Sequence, residues 1–191
     1  MSLSVVNNLV LEENQLHIHQ DIVENSKQGS RMAQQRLYEL YSKAMFNICY
    51  RMMGNWEEAE DMLQESFMDA FQKLNSFRFE STFGAWLKRI VVNNCVNDLR
   101  KKRVELVMVE DVSLLQPVDE GGGAELDKLS VKKVMDALQQ IPDGYRVVFS
   151  LYLLEGYDHR EIAEILNVSE STSKSQYMRA KNKIKELVNS N

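Results

Sequence analysis

Two interleaved stripes run through residues 83–102 at a spacing of four. Leu87, Val91, Cys95 and Leu99 form an apolar one. Arg89, Asn93, Asn97 and Lys101 form a polar, cationic one. A repeat of four matches the turn of an α-helix and not the two-residue alternation of a strand. A helix so patterned buries one side and leaves the other to water or to a charged partner. Residues 56–74 repeat the logic with the opposite charge. Leu63, Phe67, Ala70 and Leu74 make the apolar stripe, and Asp61, Glu65 and Asp69 recur by four on the roughly opposite side.

The rest of the chain is read the same way. Strand patterns are scarce, and Pro117 and Pro142 are the only prolines. Residues 1–20 show no clear period and read as a loosely ordered extension, with a short helix expected near Asp21. Ser30 suits the N-cap of a long helix that Gly54 would end. Within it Leu37, Leu40, Tyr41, Ala44, Met45 and Ile48 recur by three and four. A break is expected over Asn75–Thr82 and a third long helix over about Phe83–Lys102. Beyond residue 130, helices are expected around Val131–Leu138 and over Tyr145–Leu154. Asp158-His159-Arg160-Glu161 has the form of a capping box. Asn167-Val168-Ser169 reads as a turn, because Asn enters the left-handed region at low cost. Ser169 then caps a last helix to about Val188. The expected fold is all-α, with two small helical domains.

Charge divides the chain further. Residues 57–69 hold six acids and no Lys or Arg. Residues 71–103 hold eight Lys or Arg against Glu80 and Asp98. Residues 104–130 hold seven acids, Lys128 and the triplet Gly121–Gly123, the composition of a flexible acidic linker. The expected division is an extension over 1–20, a domain over 21–103, a linker over 104–130 and a domain over 131–191.

The net charge of −5 argues against attraction of the whole protein to DNA or an anionic membrane, but allows a local basic surface. Cys49 and Cys95 have no CxxC spacing and read as reduced thiols, not a disulfide scaffold or zinc site. No apolar run has the length of a membrane span, and no signal peptide is evident. A cytoplasmic protein without membrane insertion is expected.

Two constellations carry function. The helices on either side of Asn167 read as a helix-turn-helix. Small Ala163 allows a close crossing, Val168 fills the joint, and residues 170–185 carry five Lys or Arg. Ser171, Thr172, Lys174, Ser175, Gln176 and Arg179 are donors and acceptors suited to base edges in the major groove. The plainer alternative is a solvated amphipathic helix. In the first domain Phe77, Phe79, Phe83 and Trp86 cluster beside Arg78, Lys88 and Arg89, a mixture suited to stacking on unpaired bases and to phosphate contact. For Phe83 and Trp86 burial is an equal reading, while Phe79 and Ser81 are better placed for exposure. Asn93, Asn94 and Asn97 read either as plain helix surface or, being poor helix formers on a helix rich in Val and Ile, as present for a functional reason, which is the favoured reading. The acidic stripe is either a solvated face or, with Gln64, a surface for a basic partner helix.

With these motifs in place, the sequence resembles the extracytoplasmic-function group of sigma-70 family RNA polymerase sigma factors. The resemblance covers about residues 25–103 and 130–188. DMLQESF and FGAWLKRIVVNNCVNDLRKKR resemble the family's region 2, and LQQIPDGYRVVFSLYLLEGYDHREIAEILNVSESTSKSQYMRAKNKI resembles region 4. It implies a region 2 bundle of three to four helices and a region 4 helix-turn-helix. It implies that Asp61, Gln64, Glu65 and Phe67 dock on the β′ coiled coil of core polymerase. It places Arg78, Phe79, Ser81, Arg89, Asn93, Asn94 and Asn97 where the family grips a melted −10 element with a base flipped from the stack. Arg100, Lys101, Lys102 and Arg103 would hold phosphates. Ser171, Thr172, Lys174, Ser175, Gln176, Met178 and Arg179 would read the −35 element.

The implied partners are core RNA polymerase through its β′ and β subunits, promoter DNA, and an anti-sigma factor of the kind that commonly holds family members. The role is promoter-specific transcription initiation in response to a stress or signal, with no catalytic residues, cofactor or metal. Three positions depart from the family pattern: Ser173 stands where Val is usual, Gln176 where Arg is usual, and Asn167 where Gly is frequent.

Rival readings are a conventional helix-turn-helix regulator, a helical adaptor and a small helical enzyme. The enzyme has no support: His17, His19 and His159 are dispersed, and no phosphate-binding glycine loop or paired nucleophile and base is present.

Overall fold

A computed structural model of the chain describes residues 18–102 and 131–189. The N-terminal residues, the expected linker and Arg103 lie outside the described residues. Among the described residues the architecture is helical without strands. The helices are α1 (Gln20–Lys27), α2 (Arg31–Met53), α3 (Trp56–Lys73), α4 (Phe83–Lys101), α5 (Val131–Leu138), α6 (Asp143–Phe149), α7 (His159–Leu166) and α8 (Glu170–Asn189). The chain divides into two compact units: Met1–Tyr50 with Asn55–Cys95, and Arg51–Gly54 with Val96–Asn191. Helices α1 and α3 and most of α2 and α4 belong to the first; α5 to α8 belong to the second.

Local chemistry sets the ends of α2, α3 and α4. The Ser30 hydroxyl accepts from the Ala33 N–H at 3.3 Å at the start of α2. Gly54, at φ +74°, turns the chain out of α2, in a region that costs glycine little. Asn55 then caps α3, its side chain accepting from the Glu58 N–H at 3.1 Å. A 3₁₀ turn over Leu74–Ser76 closes α3. The Thr82 hydroxyl accepts from the Ala85 N–H at 3.1 Å and opens α4.

The apolar stripes form the core as their spacing requires. Leu63, Phe67, Ala70 and Leu74 are buried, and so are Leu87, Val91, Cys95 and Leu99. Each large side chain removed from water contributes about 1.5–3 kcal/mol before the cost of ordering it. Gly84 allows α4 to come close to α2, since a Cβ there would lie 3.0 Å from the Tyr41 ring. The Tyr41 and Phe83 rings meet edge-on at 5.1 Å, and the Tyr41 hydroxyl lies 3.0 Å from His19 Nδ1. Cys49 and Cys95 are buried free thiols.

In the second unit, Val134, Leu138, Ile141, Phe149, Ala180, Ile184 and Val188 make one cluster from α5, α6, α8 and the α5–α6 connection. The second helix differs from the expected Tyr145–Leu154. It begins at Asp143 behind Pro142, whose φ of −54° suits a helix start, and after Phe149 it widens into a π-helical turn over Ser150–Leu154. Gly156, at φ +79°, ends that turn. The full capping box is present at α7. Asp158 accepts from the Glu161 N–H, and Glu161 accepts from the Asp158 N–H, each at 2.8 Å. This reciprocal pair is worth on the order of 1 kcal/mol.

Candidate nucleic-acid and polymerase interface

The acidic face lies on α3. Asp61, Gln64 and Glu65 are exposed. Phe67, expected beside them, is only 3% exposed. Its ring packs at 4.7 Å on Tyr38 and at 5.8 Å on Phe71, so it belongs to the core and supports the face from behind. Its place in the Leu63–Leu74 stripe is the physical reason. Met68, unremarked in the sequence, is 62% exposed. It sits four residues after Gln64 and three after Glu65, a spacing that puts it on the same side. Next to this face a shallow cleft of about 340 Å³ is lined by Tyr38, Ser42, Lys43, Phe46, Trp56, Glu60, Leu63 and Gln64. Trp56, 57% exposed, packs on Phe46 at 4.5 Å.

The cationic face lies on α4. Arg89, Asn93, Asn97, Arg100 and Lys101 are exposed. Asn94 does not share that face. Its amide points to α3, 3.4 Å from Ser66 Oγ and 3.5 Å from Asp69 Oδ2. One residue further along a helix is a turn of about 100°, enough to move the side chain from solvent to a neighbouring helix. Asp69 also bonds Lys73 at 2.9 Å. That bond and the Lys73 charge hold its carboxyl below the usual carboxylate range, with the Asn94 bond adding to them.

The break before α4 has a distinct shape. Phe77 is buried among Phe79, Phe83 and Trp86, with ring centres 4.8, 5.8 and 5.3 Å away. Arg78 is exposed, and Phe79 and Ser81 are half-exposed. Phe79 has φ +60°, a left-handed conformation that is uncommon for a bulky residue. Phe83 is buried as the burial reading of it required, and Trp86 is half-buried.

In the second unit, α7 and α8 meet through a turn at Asn167, whose φ of +54° is left-handed. The Ser169 hydroxyl accepts from the Thr172 N–H at 3.0 Å and lies 2.7 Å from the Thr172 hydroxyl. On α8, Ser171 and Lys174 are exposed, and Thr172, Ser175, Met178 and Arg179 are half-exposed. Lys174 bridges Glu170 at 2.7 Å, which keeps the Glu170 carboxyl below its usual range. Gln176 stands apart, only 4% exposed. It follows Ser173 by three and precedes Ala180 by four, so it lies on the inward side of α8. Ser173 is fully buried and its hydroxyl lies 2.9 Å from His159 Nδ1. Burial, followed by the Lys174 charge, pushes the His159 imidazole below its ordinary value, against opposing pulls from Glu170 and Asp158. Among the described residues, no group of three or more His, Cys, Asp or Glu could hold a metal.

A capped helix, a left-handed turn and a second helix with a polar, cationic outer side define the second unit as a helix-turn-helix. Residues 37–105 match Sigma-70 region 2, and residues 132–184 match Sigma-70 region 4. The extracytoplasmic-function (ECF) RNA polymerase sigma factor SigW of Bacillus subtilis is 30% identical over 169 residues, spanning 83% of this chain and 90% of that protein. The ECF RNA polymerase sigma-E factor of Haemophilus influenzae is 30% identical over 179 residues, spanning 88% and 94%. A solved structure of the sigma factor RpoE with the anti-sigma factor NepR from Bartonella quintana gives a TM-score of 0.53 at 26% identity, covering 81% of this chain and 96% of that one. This chain belongs to the sigma-70 family and is an ECF RNA polymerase sigma factor.

Proposed function

We propose that the acidic face of α3 and the cationic face of α4 serve two partners at once. The acidic face of α3, with Asp61, Gln64, Glu65 and the adjoining Met68, docks on a basic helical surface of core RNA polymerase. Phe67 keeps this face in shape from the core. The loop and helix behind it handle the melted −10 element: Arg78, Phe79 and Ser81 meet unpaired bases, Arg89, Asn93 and Asn97 meet bases and backbone, and Arg100 and Lys101 hold phosphates. In the second unit Ser171, Thr172, Lys174, Ser175, Met178 and Arg179 read the −35 duplex, and the buried Gln176 shapes the helix that carries them. The protein acts in the cytoplasm as a promoter-recognition factor with no catalysis of its own. An anti-sigma factor fits as a regulator, as RpoE of Bartonella quintana is held by NepR.

The observation that carries this reading is the opposite charge of exposed faces on adjacent helices α3 and α4. A chain of net charge −5 has little non-specific affinity for DNA, since phosphate neutralisation supplies most of it. Docking on polymerase makes the two DNA contacts effectively intramolecular, so modest modules suffice together. The test is run-off transcription with core polymerase on genomic DNA, with start sites mapped. Discrete start sites that depend on this protein are expected. Tight, specific binding to a promoter duplex without core polymerase would favour a conventional regulator and overturn the proposal.

A further inference from the structure

Lys27 ends α1, fifty positions before the loop that opens α4, yet its ammonium is built into that loop. Its Nζ donates to the Phe77 carbonyl at 2.8 Å. The same nitrogen lies 4.4 Å from the centre of the Phe79 ring and 5.9 Å from that of Phe77. Its side chain is 17% exposed, and its pairing with Glu24 in α1 is long, at 4.0 Å. A half-desolvated ammonium over a ring face is attracted by the ring's quadrupole, more strongly than the same pair in open water. The carbonyl it binds belongs to Phe77, two residues before the left-handed Phe79. Such a conformation persists for a bulky residue only where its surroundings hold it.

We propose that Lys27 is the positioning residue of the −10 loop, holding Phe79 in the left-handed conformation and ring orientation that meet an unpaired base. The inference rests on the reading of Phe79 as a base contact. One hydrogen bond fixes the backbone before Phe79, and one cation fixes its ring. Lys27 thereby acts on DNA through Phe79 and not through phosphate. A loop set before DNA arrives loses less freedom on binding, so the gain appears in strand opening.

The test uses the full-length protein assembled with core polymerase on the strongest promoter fragment mapped by run-off transcription. K27M, K27Q, K27R, F79A and K27M/F79A are compared. Open complex is read by permanganate reactivity of unpaired thymines, together with the salt dependence of promoter binding and affinity for core polymerase. K27M and K27Q should lower open-complex yield about five- to tenfold, the scale of one partly buried cation–π contact and its bond. K27R, which keeps charge and donors, should recover most of it. The double variant should be no worse than the more affected single one, because the two residues act as a unit. Core affinity and the salt slope should stay as in the parent.

Additive losses in the double variant, or a salt slope reduced by about one, would make Lys27 a direct phosphate contact and overturn the proposal. So would parental opening by K27M, or loss of the fold in both K27M and K27Q, the mark of a purely structural strut. If the parent opens no promoter with core polymerase, the functional reading fails and this inference fails with it. If the parent opens promoters and K27M does so equally well, only this inference fails.

Discussion

His159 Nδ1 and Ser173 Oγ lie 2.9 Å apart, tying the first residue of α7 to the buried side of α8. The same imidazole stacks on Tyr152 at 4.3 Å and meets Tyr177 edge-on at 5.8 Å. Ser173 thus places a polar contact on the buried side of α8. The helix-turn-helix is therefore expected to respond to proton uptake at His159. Burial, with the Lys174 charge, lowers the folded-state value of His159 from 6.5, so the unfolded chain takes up the proton more readily. The stability tied to neutral His159 is therefore complete above about pH 6.5 and is lost as pH falls through the window below it. The thermal midpoint should drop between pH 7.5 and 5.5, and His159→Gln should flatten that drop. Equal slopes in parent and variant would remove His159 as the cause.

Glu65→Lys should weaken binding to core polymerase by about tenfold or more, because it puts a like charge against a basic partner. Glu65 is exposed, so the melting temperature should hardly move. Phe67→Ala should behave in the opposite way. Phe67 is 3% exposed, and removing its ring should cost about 3–5 kcal/mol of stability. Binding titrations and thermal melts on the two variants separate docking from support. Normal core binding by Glu65→Lys would exclude the acidic face as the dock.

Asn93→Ala and Asn94→Ala test neighbouring positions with different surroundings. Asn93 is exposed on the cationic face, and its loss should reduce promoter opening several-fold with stability unchanged. The Asn94 amide bonds Ser66 and Asp69 at 3.4 and 3.5 Å, long contacts worth at most about 0.5–1 kcal/mol. Its replacement should lower stability slightly and leave opening nearly intact. Permanganate footprinting beside urea denaturation gives both readouts.

Lys174→Ala should weaken binding to a −35 duplex across sequences and lower the salt slope by about one. The pairing with Glu170 moderates the loss, because that carboxylate already neutralises part of the Lys174 charge in the parent. Gln176→Ala should leave the salt slope unchanged. Gln176 is 4% exposed, and its truncation should cost about 1–2 kcal/mol of stability instead. Salt titrations of polymerase-bound promoter distinguish the two.

The sequence alone determined which helices form and which sides they bury. The stripes at four-residue spacing, the caps at Ser30, Asp158 and Ser169, and the left-handed turns at Gly54 and Asn167 are local chemistry, and each is realised. Local rules also exposed Asp61, Glu65, Arg89, Asn93 and Asn97. Tertiary structure decided the rest. Gln176 was expected at a surface and lies inside, because burial depends on which neighbour covers a face. Asn94 turned to Ser66 and Asp69 because α3 lies beside it. Lys27 came to hold Phe77 and Phe79 across fifty positions of chain. Periodicity states that a side of a helix is covered or open. It carries no record of what covers it, since that contact is made by residues distant in the chain and is fixed only when the helices pack.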